Sequence, residues 1–226
     1  MLPRVSVVIP ALNEAESIGS VVRSMPWDEI AECIVVDNGS TDGTADVALT
    51  AGARVVNSPR GYGAACAAGA RAAVASSEIF VFLDGDGSDD VRAMQQMVGP
   101  IERDEADFVI GSRMRGRAEP GSLNRAQVVA AKMIGWLVKM FYGFRYTDMG
   151  PFRAINRECL EAMQMREMTY GWNLEMQIKA LKMGLRVVEI PVDYHRRIGG
   201  ESKVSGNVWA SLKAGVRILG VLARVR

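Results

Sequence analysis

The chain has 226 residues, 49% hydrophobic and 23% charged, the size and mix of one globular α/β domain rather than of a disordered or fibrous protein. Its 27 basic and 26 acidic side chains leave a net charge of +1, so bulk electrostatics give no reason to expect nucleic acid as a partner. No apolar run approaches the ~20 residues that cross a bilayer, and Met-Leu-Pro-Arg leads straight into a strand-like run with no room for a signal peptide; a soluble or peripheral, cytoplasmic protein is expected.

Residues 5–9 are a β-branched run closed by Pro10 and predict a buried first strand. From Asn13 an amphipathic pattern begins, with Ile18, Val21 and Val22 on one face, and predicts a helix. Residues 33–36 are a second apolar run, and the segment from Asp37 to Thr44 that follows is a turn and helix start with capping side chains. A third strand is expected at Arg54–Asn57, an Ala-rich helix from Gly61 to about Ala75, and a fourth strand at 79–83. A helix around 90–102 and a strand at 108–110 continue the alternation. Beyond about residue 112 a basic loop (Arg113, Arg115, Arg117, Arg125) precedes an apolar helix over 127–141, and residues 146–154 follow with no element assigned to them. A helix near 172–183 and a strand at 186–190 end the main domain, taken as residues 1–206. The remainder, 207–226, places Trp209, Leu212, Val216 and Leu219 at helical spacing with Lys213, Arg217 and Arg224 on another face. It reads as a basic amphipathic helix, suited to a membrane surface or to packing against its own domain or a second copy.

Strands alternating with helices imply a mostly parallel sheet with right-handed crossovers, and continuous apolar strands agree with cover on both faces. Ligands bind such sheets outside the carboxyl ends of the strands. Three polar loops fall at such ends: 10–14, 37–40 and 84–90. The three scattered cysteines, Cys33, Cys66 and Cys159, form neither a CxxC pair nor a disulfide framework, and are expected as buried thiols in a reducing compartment.

Asp84-Gly85-Asp86 delivers two carboxylates from the end of an apolar strand. A hard cation such as Mg²⁺ is commonly held by one or two carboxylates together with substrate phosphates, and it neutralises charge on a departing diphosphate. An acidic turn in which Asp89 or Asp90 caps the next helix accounts for the same residues. The first loop, Pro-Ala-Leu-Asn-Glu, lacks the glycines that a nucleotidyltransferase or a dinucleotide-dependent dehydrogenase would carry there.

Six motifs occur in order: 7–14 (VVIPALNE), 35–44 (VVDNGSTDGT), 83–86 (LDGD), 111–113 (GSR), 147–153 (TDMGPFR) and 197–203 (RIGGESK). With them the chain resembles the inverting family 2 glycosyltransferases, above all the polyprenyl-phosphate mannosyl- and glucosyltransferase branch. The resemblance implies a GT-A nucleotide-diphospho-sugar transferase fold, a Rossmann-like, mostly parallel sheet flanked by helices. It also implies Mg²⁺ or Mn²⁺ at Asp84 and Asp86, and a donor of the UDP-glucose or GDP-mannose type. Pro10, Leu12, Glu14, Val36, Asp37, Asn38, Asp84 and Gly85 would then frame the nucleotide; for Glu14 a helix-dipole role stays open. Leu12 stands where relatives often have an aromatic, and Asn38 where a second acid is frequent, which leaves the base undetermined.

Asp86, Asp148 and Arg113 would be the catalytic residues, Arg113 reaching the diphosphate through its planar guanidinium. Asp148 is a candidate base or acceptor-orienting group, with Arg153 as a possible partner; a turn role before Gly150-Pro151 is the alternative. Arg125, Arg197, Ser202 and Lys203 would bind donor or acceptor phosphate. The expected reaction is hexose transfer to a polyprenyl phosphate at a membrane face, or else to a soluble sugar or metabolite. A homo-oligomer is left open. His195, the single histidine, is assigned no catalytic role.

Overall fold

The computed structural model describes residues 4–199, the side chains of residues 125–127 excepted. Its strands are β1 (Val5–Ala11), β2 (Glu32–Asp37), β3 (Arg54–Asn57), β4 (Ile79–Phe82), β5 (Phe108–Ser112), β6 (Arg153–Asn156) and β7 (Val187–Pro191). Between them lie α1 (Ala15–Arg23), α2 (Thr44–Thr50), α3 (Tyr62–Ala72), α4 (Met94–Glu102), α5 (Arg125–Tyr142), α6 (Arg157–Met163) and α7 (Trp172–Lys182). The strands form one sheet in the order β3-β2-β1-β4-β6-β5-β7.

Every residue of β1 is buried, because alternate side chains serve two separate cores. Val5, Val7 and Ile9 pack with Ile18, Val21 and Val22 of α1 and Met94, Met97 and Val98 of α4. On the other face Val8 joins Ile34, Val36, Ala65 and Cys66 of α3, and Trp172 and Met176 of α7. Cover on both faces explains why these strands read as continuous apolar runs. Burial, with the Glu32 charge adding, pushes the Cys33 thiol up to about 12, in keeping with an inert core cysteine.

Two expectations need correction. β1 runs through Pro10 to Ala11; its pairing with β4 ends at Val8↔Phe82, so the proline lies where that neighbour has already left the ladder. The untyped region conceals β6 and, beyond it, α6. β6 runs antiparallel to both β4 and β5, so one reversed strand sits in an otherwise parallel sheet. Asn156 then caps α6, its Oδ1 accepting the Glu158 N–H at 2.9 Å.

The reversed strand has a positional effect. The loops after β1, β2, β4 and β5 all leave the carboxyl edge of the sheet, and the segment entering β6 arrives at that same edge. The helix expected over 207–226 lies outside the described residues.

α3 approaches the sheet at Gly69, where an added Cβ would lie 2.3 Å from Val8 Cγ1 and 2.9 Å from Val36 Cγ2. Gly69→Val is expected to destabilise the fold by about 1–3 kcal/mol through overpacking, measured by urea denaturation.

Candidate active site at the carboxyl edge

The loops after β1 and β2 are stitched together. Asn38 N–H donates to Ala11 O (2.9 Å), Asn13 N–H to Ser40 Oγ (3.0 Å), Glu14 N–H to Thr44 Oγ1 (2.8 Å) and Ala15 N–H to Asp42 Oδ2 (3.0 Å). Asn13 returns a bond, its Oδ1 accepting the Thr41 N–H at 2.8 Å. These contacts hold Asn13 at φ 52°, a conformation that non-glycine residues seldom adopt outside constrained sites. Asn38 Oδ1 accepts from Gly61 N–H (2.9 Å), tying down the start of α3. Pro10 and Val36 are buried behind this edge, while Leu12 and Asp37 are partly open. Asp37 Oδ1 accepts the Ser40 N–H at 3.0 Å, so its carboxylate shapes the turn.

The acidic loop joins the cluster through Ser17, whose hydroxyl donates to Gly85 O at 2.8 Å. Asp86 Oδ1 accepts from Ser88 N–H (2.9 Å) and Ser88 Oγ (2.6 Å), while its Oδ2 lies 3.5 Å from Arg197 Nη2. Asp90 caps the turn at Val91–Ala93 by accepting the Arg92 N–H. Asp89 instead faces inward: Oδ2 accepts the Asp84 N–H at 3.1 Å, and Oδ1 is buried with no partner among the described residues.

Charge here is poorly balanced. Burial, followed by the charges of Asp86 and Asp89, pushes the Asp84 carboxyl well above the usual carboxylate range, against the opposing pull of Arg113. Burial likewise pushes Asp89 up to about 7, with the Asp84 N–H opposing and Asp86 adding. Crowded carboxyls that burial keeps from ionising easily, one of them with an orphaned oxygen, suit a divalent cation. Among the described residues no three His, Cys, Asp or Glu side chains form a complete ligand set, so such an ion would need substrate oxygens as well.

Arg113, at the end of β5, makes a two-pronged ion pair with Asp148: Nε to Oδ2 at 2.7 Å and Nη2 to Oδ1 at 2.8 Å. Backbone N–H groups of Arg113 (2.9 Å) and Met149 (2.7 Å) complete the carboxylate's shell. Asp148 is thus buried and fully engaged, and in this arrangement it orients Arg113. Burial opposes the guanidinium charge, but the Asp148 bonds outweigh it and the Arg113 pKa is raised. The guanidinium also stacks over Tyr194, 4.9 Å from the ring centroid. Glu189 holds the Asp148 turn by accepting the Thr147 N–H (2.8 Å) and Oγ1–H (3.0 Å).

Arg153 is not the partner of Asp148. Its register opposite Phe82 and Ile110 sets it inside the sheet, where it donates to the Gly150 and Asn173 carbonyls.

A strap over residues 194–199 lies on the acidic loop. His195 N–H donates to Ser88 O (2.8 Å), Ile198 N–H to Asp86 O (2.9 Å), and Arg197 Nη2 to Glu14 Oε1 (2.9 Å). His195 Nδ1 pairs with Glu119 Oε1 at 3.0 Å, a rim contact. Glu14, Asp84, Asp86 and Arg197 are therefore brought together, with Arg113 and Asp148 alongside. Arg125 opens α5, and Ser202 and Lys203 lie outside the described residues. Asp89, Tyr194 and Glu189 were not anticipated as site residues; only Asp89 had a signal, its place in the acidic run.

Residues 6–169 match the sequence model of glycosyl transferase family 2. The chain belongs to that family. An uncharacterised glycosyltransferase of Mycobacterium tuberculosis is 38% identical over 213 residues, 93% of this chain and 94% of that one. An undecaprenyl-phosphate mannosyltransferase of Micrococcus luteus is 30% identical, covering 98% and 96% of the two chains. Among solved structures, the M. tuberculosis glucosyl-3-phosphoglycerate synthase in complex with Mn²⁺ and UDP-glucose has a TM-score of 0.79 at 23% identity, over 99% of this chain and 79% of that one. The family 2 chain is a glycosyltransferase with the expected GT-A fold.

Removing one member of the buried Arg113–Asp148 pair is expected to cost about 3–5 kcal/mol, so Asp148→Ala should lower stability markedly, and Asp148→Leu combined with Arg113→Met should recover much of the loss in urea denaturation. Asp89 binds its proton more tightly folded than unfolded, so without metal, stability should fall as pH rises from its ordinary 3.8 through about 7. Asp89→Asn should flatten that slope in melting curves taken with a chelator.

Proposed function

We propose that this glycosyltransferase moves a hexose from a nucleoside diphosphate sugar to a phosphate-bearing acceptor, with inversion at the anomeric carbon. The observation that carries the reading is the under-neutralised carboxylate cluster of Asp84, Asp86 and Asp89, with Arg113 fixed beside it. Asp84 and Asp86 would hold Mg²⁺ or Mn²⁺, which when bound supplies Lewis-acid stabilisation of the leaving diphosphate. Arg113, with Nε and Nη2 engaged by Asp148, would keep its orientation and offer its remaining Nη1 to the diphosphate. Arg197 would exchange Glu14 for a phosphate oxygen. Glu14, Leu12, Asp37 and Asn38 would line the nucleoside side. UDP-glucose is the first donor to test, supported by the complexes of the structural neighbour; GDP-mannose is the second.

Two acceptors fit. A small phosphorylated metabolite is supported by that neighbour, whose structures include complexes with phosphoglyceric acid. A polyprenyl phosphate is supported by the Micrococcus relative, and by the engagement of Asp148. A phosphate oxygen is ionised near neutral pH and attacks without a base, whereas a hydroxyl would need one.

Asp86→Ala is expected to lower kcat by about 100-fold or more, the loss of some 3 kcal/mol of transition-state stabilisation, with an unchanged circular dichroism melt. Transfer from UDP-glucose and GDP-mannose, with Mn²⁺, Mg²⁺ or EDTA, should be measured against phosphoglycerate and a detergent-dispersed polyprenyl phosphate. Near-normal turnover of Asp86→Ala would sink the metal-assisted reading, and the productive pair of substrates identifies the acceptor class.

A further inference from the structure

Arg153, the first residue of β6, is fully buried. Its cross-strand neighbours are Phe82 and Ile110, and its guanidinium lies 5.9 Å from the Phe108 ring centroid. Packing alone would favour an apolar side chain at such a position. Burial lowers the Arg153 pKa against the opposing pull of Tyr62, Cys66, Asp148 and Tyr146, yet a guanidinium stays charged inside a protein. Among the described residues it makes no ion pair, since both oxygens of Asp148 are taken by Arg113 and by backbone N–H groups. Its Nε is buried with no partner among them. A buried cation without a counter-ion is costly, so its place in the fold calls for a reason other than packing.

What Arg153 holds is the turn that carries Asp148. Its Nη2 donates to the Gly150 carbonyl and its Nη1 to the Asn173 carbonyl at 3.2 Å, which fastens the turn to the start of α7. One helical turn further on, Gln177 Nε2 donates to the Asp148 carbonyl at 2.9 Å, and the Gln177 carbonyl accepts the Tyr146 hydroxyl at 2.9 Å. Residues 146, 148 and 150 are thus tied to α7, while Thr147 between them is tied to Glu189 of β7. The Asp148 carboxylate, set by this double support, grips Arg113 at Nε and Nη2. Any shift of the turn is therefore passed to the Arg113 guanidinium.

We propose that Arg153 is a positioning residue for sugar transfer, acting through the Gly150 carbonyl to set the Asp148 carboxylate and with it the direction of Arg113. It rests on the reading that Arg113 faces the diphosphate, and it gives Arg153 no contact with substrate. The chemistry of the side chain fits the task. Two carbonyls from different elements need two donors in one rigid unit, and the planar fork of a guanidinium supplies them where an apolar side chain of similar length cannot. The support is also of the kind that catalysis by a fixed donor requires, because a guanidinium that drifts by a fraction of an ångström loses its aim at developing charge.

The test uses the full chain and two readouts. The first is solvent exchange of the Arg113 Nε–H in the nitrogen-15-labelled protein, its NMR signal identified by loss in Arg113→Lys. Bonded to a buried carboxylate, that proton should exchange slowly in the native chain, and Arg153→Met should speed its exchange at least tenfold with an unchanged circular dichroism spectrum. The second is a double-mutant cycle on kcat, with UDP-glucose or GDP-mannose as donor. Arg153→Met alone should lower kcat at least tenfold, but by less than twofold in a chain that already carries Arg113→Met, since no guanidinium is left there to direct. Arg153→Lys, which keeps the charge but loses the fork, should show the same two effects at threefold or more, and it carries the test if Arg153→Met does not fold. Native exchange at Arg113 in the folded variants would overturn the proposal. So would a native kcat, or losses that multiply in the double variant, since Arg153 would then act on the fold at large. If the native chain transfers from neither donor, the reading of the reaction fails, and the exchange rate at Arg113 still decides whether Arg153 sets that guanidinium.

Discussion

Among the described residues, the carboxyl edge gathers more carboxyl groups than the cations beside them can neutralise. Asp84, Asp86, Asp89 and Glu14 meet in a space where burial already disfavours ionisation. Among the described residues, Arg113 is committed to Asp148, and Arg197 is divided between Glu14 and Asp86. Such an arrangement is costly in a folded protein unless something positive completes it, and cost at a site is a sign of function more than of stability. The loop bonds that fix Asn13, the Ser17 bridge to Gly85 and the strap over Gly87 all act to keep these groups in place.

The two arginines illustrate different uses of one functional group. Arg113 is gripped at two points, stacked on Tyr194 and set by the turn that Glu189 anchors, so it is a fixed donor. Arg197 stands on the strap, where its Nε donates to the Gly199 carbonyl and its Nη2 makes one hydrogen bond to Glu14 and a looser approach to Asp86. A preorganised donor stabilises developing charge without rearrangement, while a donor on a strap is better placed to follow a ligand as it enters and leaves.

Much of the first half was legible in the sequence, because strands covered on both faces leave uninterrupted apolar runs and the turns between them carry Gly, Asp, Asn and Ser. Arg54–Asn57 matches its expected bounds, and the acidic loop falls at the end of β4 as anticipated. The second half was harder to read. Arg153-Ala-Ile-Asn begins with a charge and has no period, and its burial is made possible only by carbonyls at Gly150 and Asn173, which the fold brings from elsewhere. For the same reason the partner of Asp148 is not legible in the sequence: Arg153 lies near it in the chain, but the pairing of β6 between β4 and β5 makes Arg113 the neighbour. Asp89 was visible as an acid but its inward direction was not, since only the loop geometry separates it from the cap at Asp90.

The lone reversed strand divides labour along the polypeptide. Everything up to β4 builds one half of the carboxyl edge, and the stretch from Arg113 to Phe152 is inserted at the opposite half, entering from one strand and leaving by its antiparallel neighbour. Because both of its ends are anchored at one rim, a change of length or character within that stretch would leave the pairing of β1 to β4 as it is. The two sides of the edge are in this way mechanically separate, although one continuous sheet carries both.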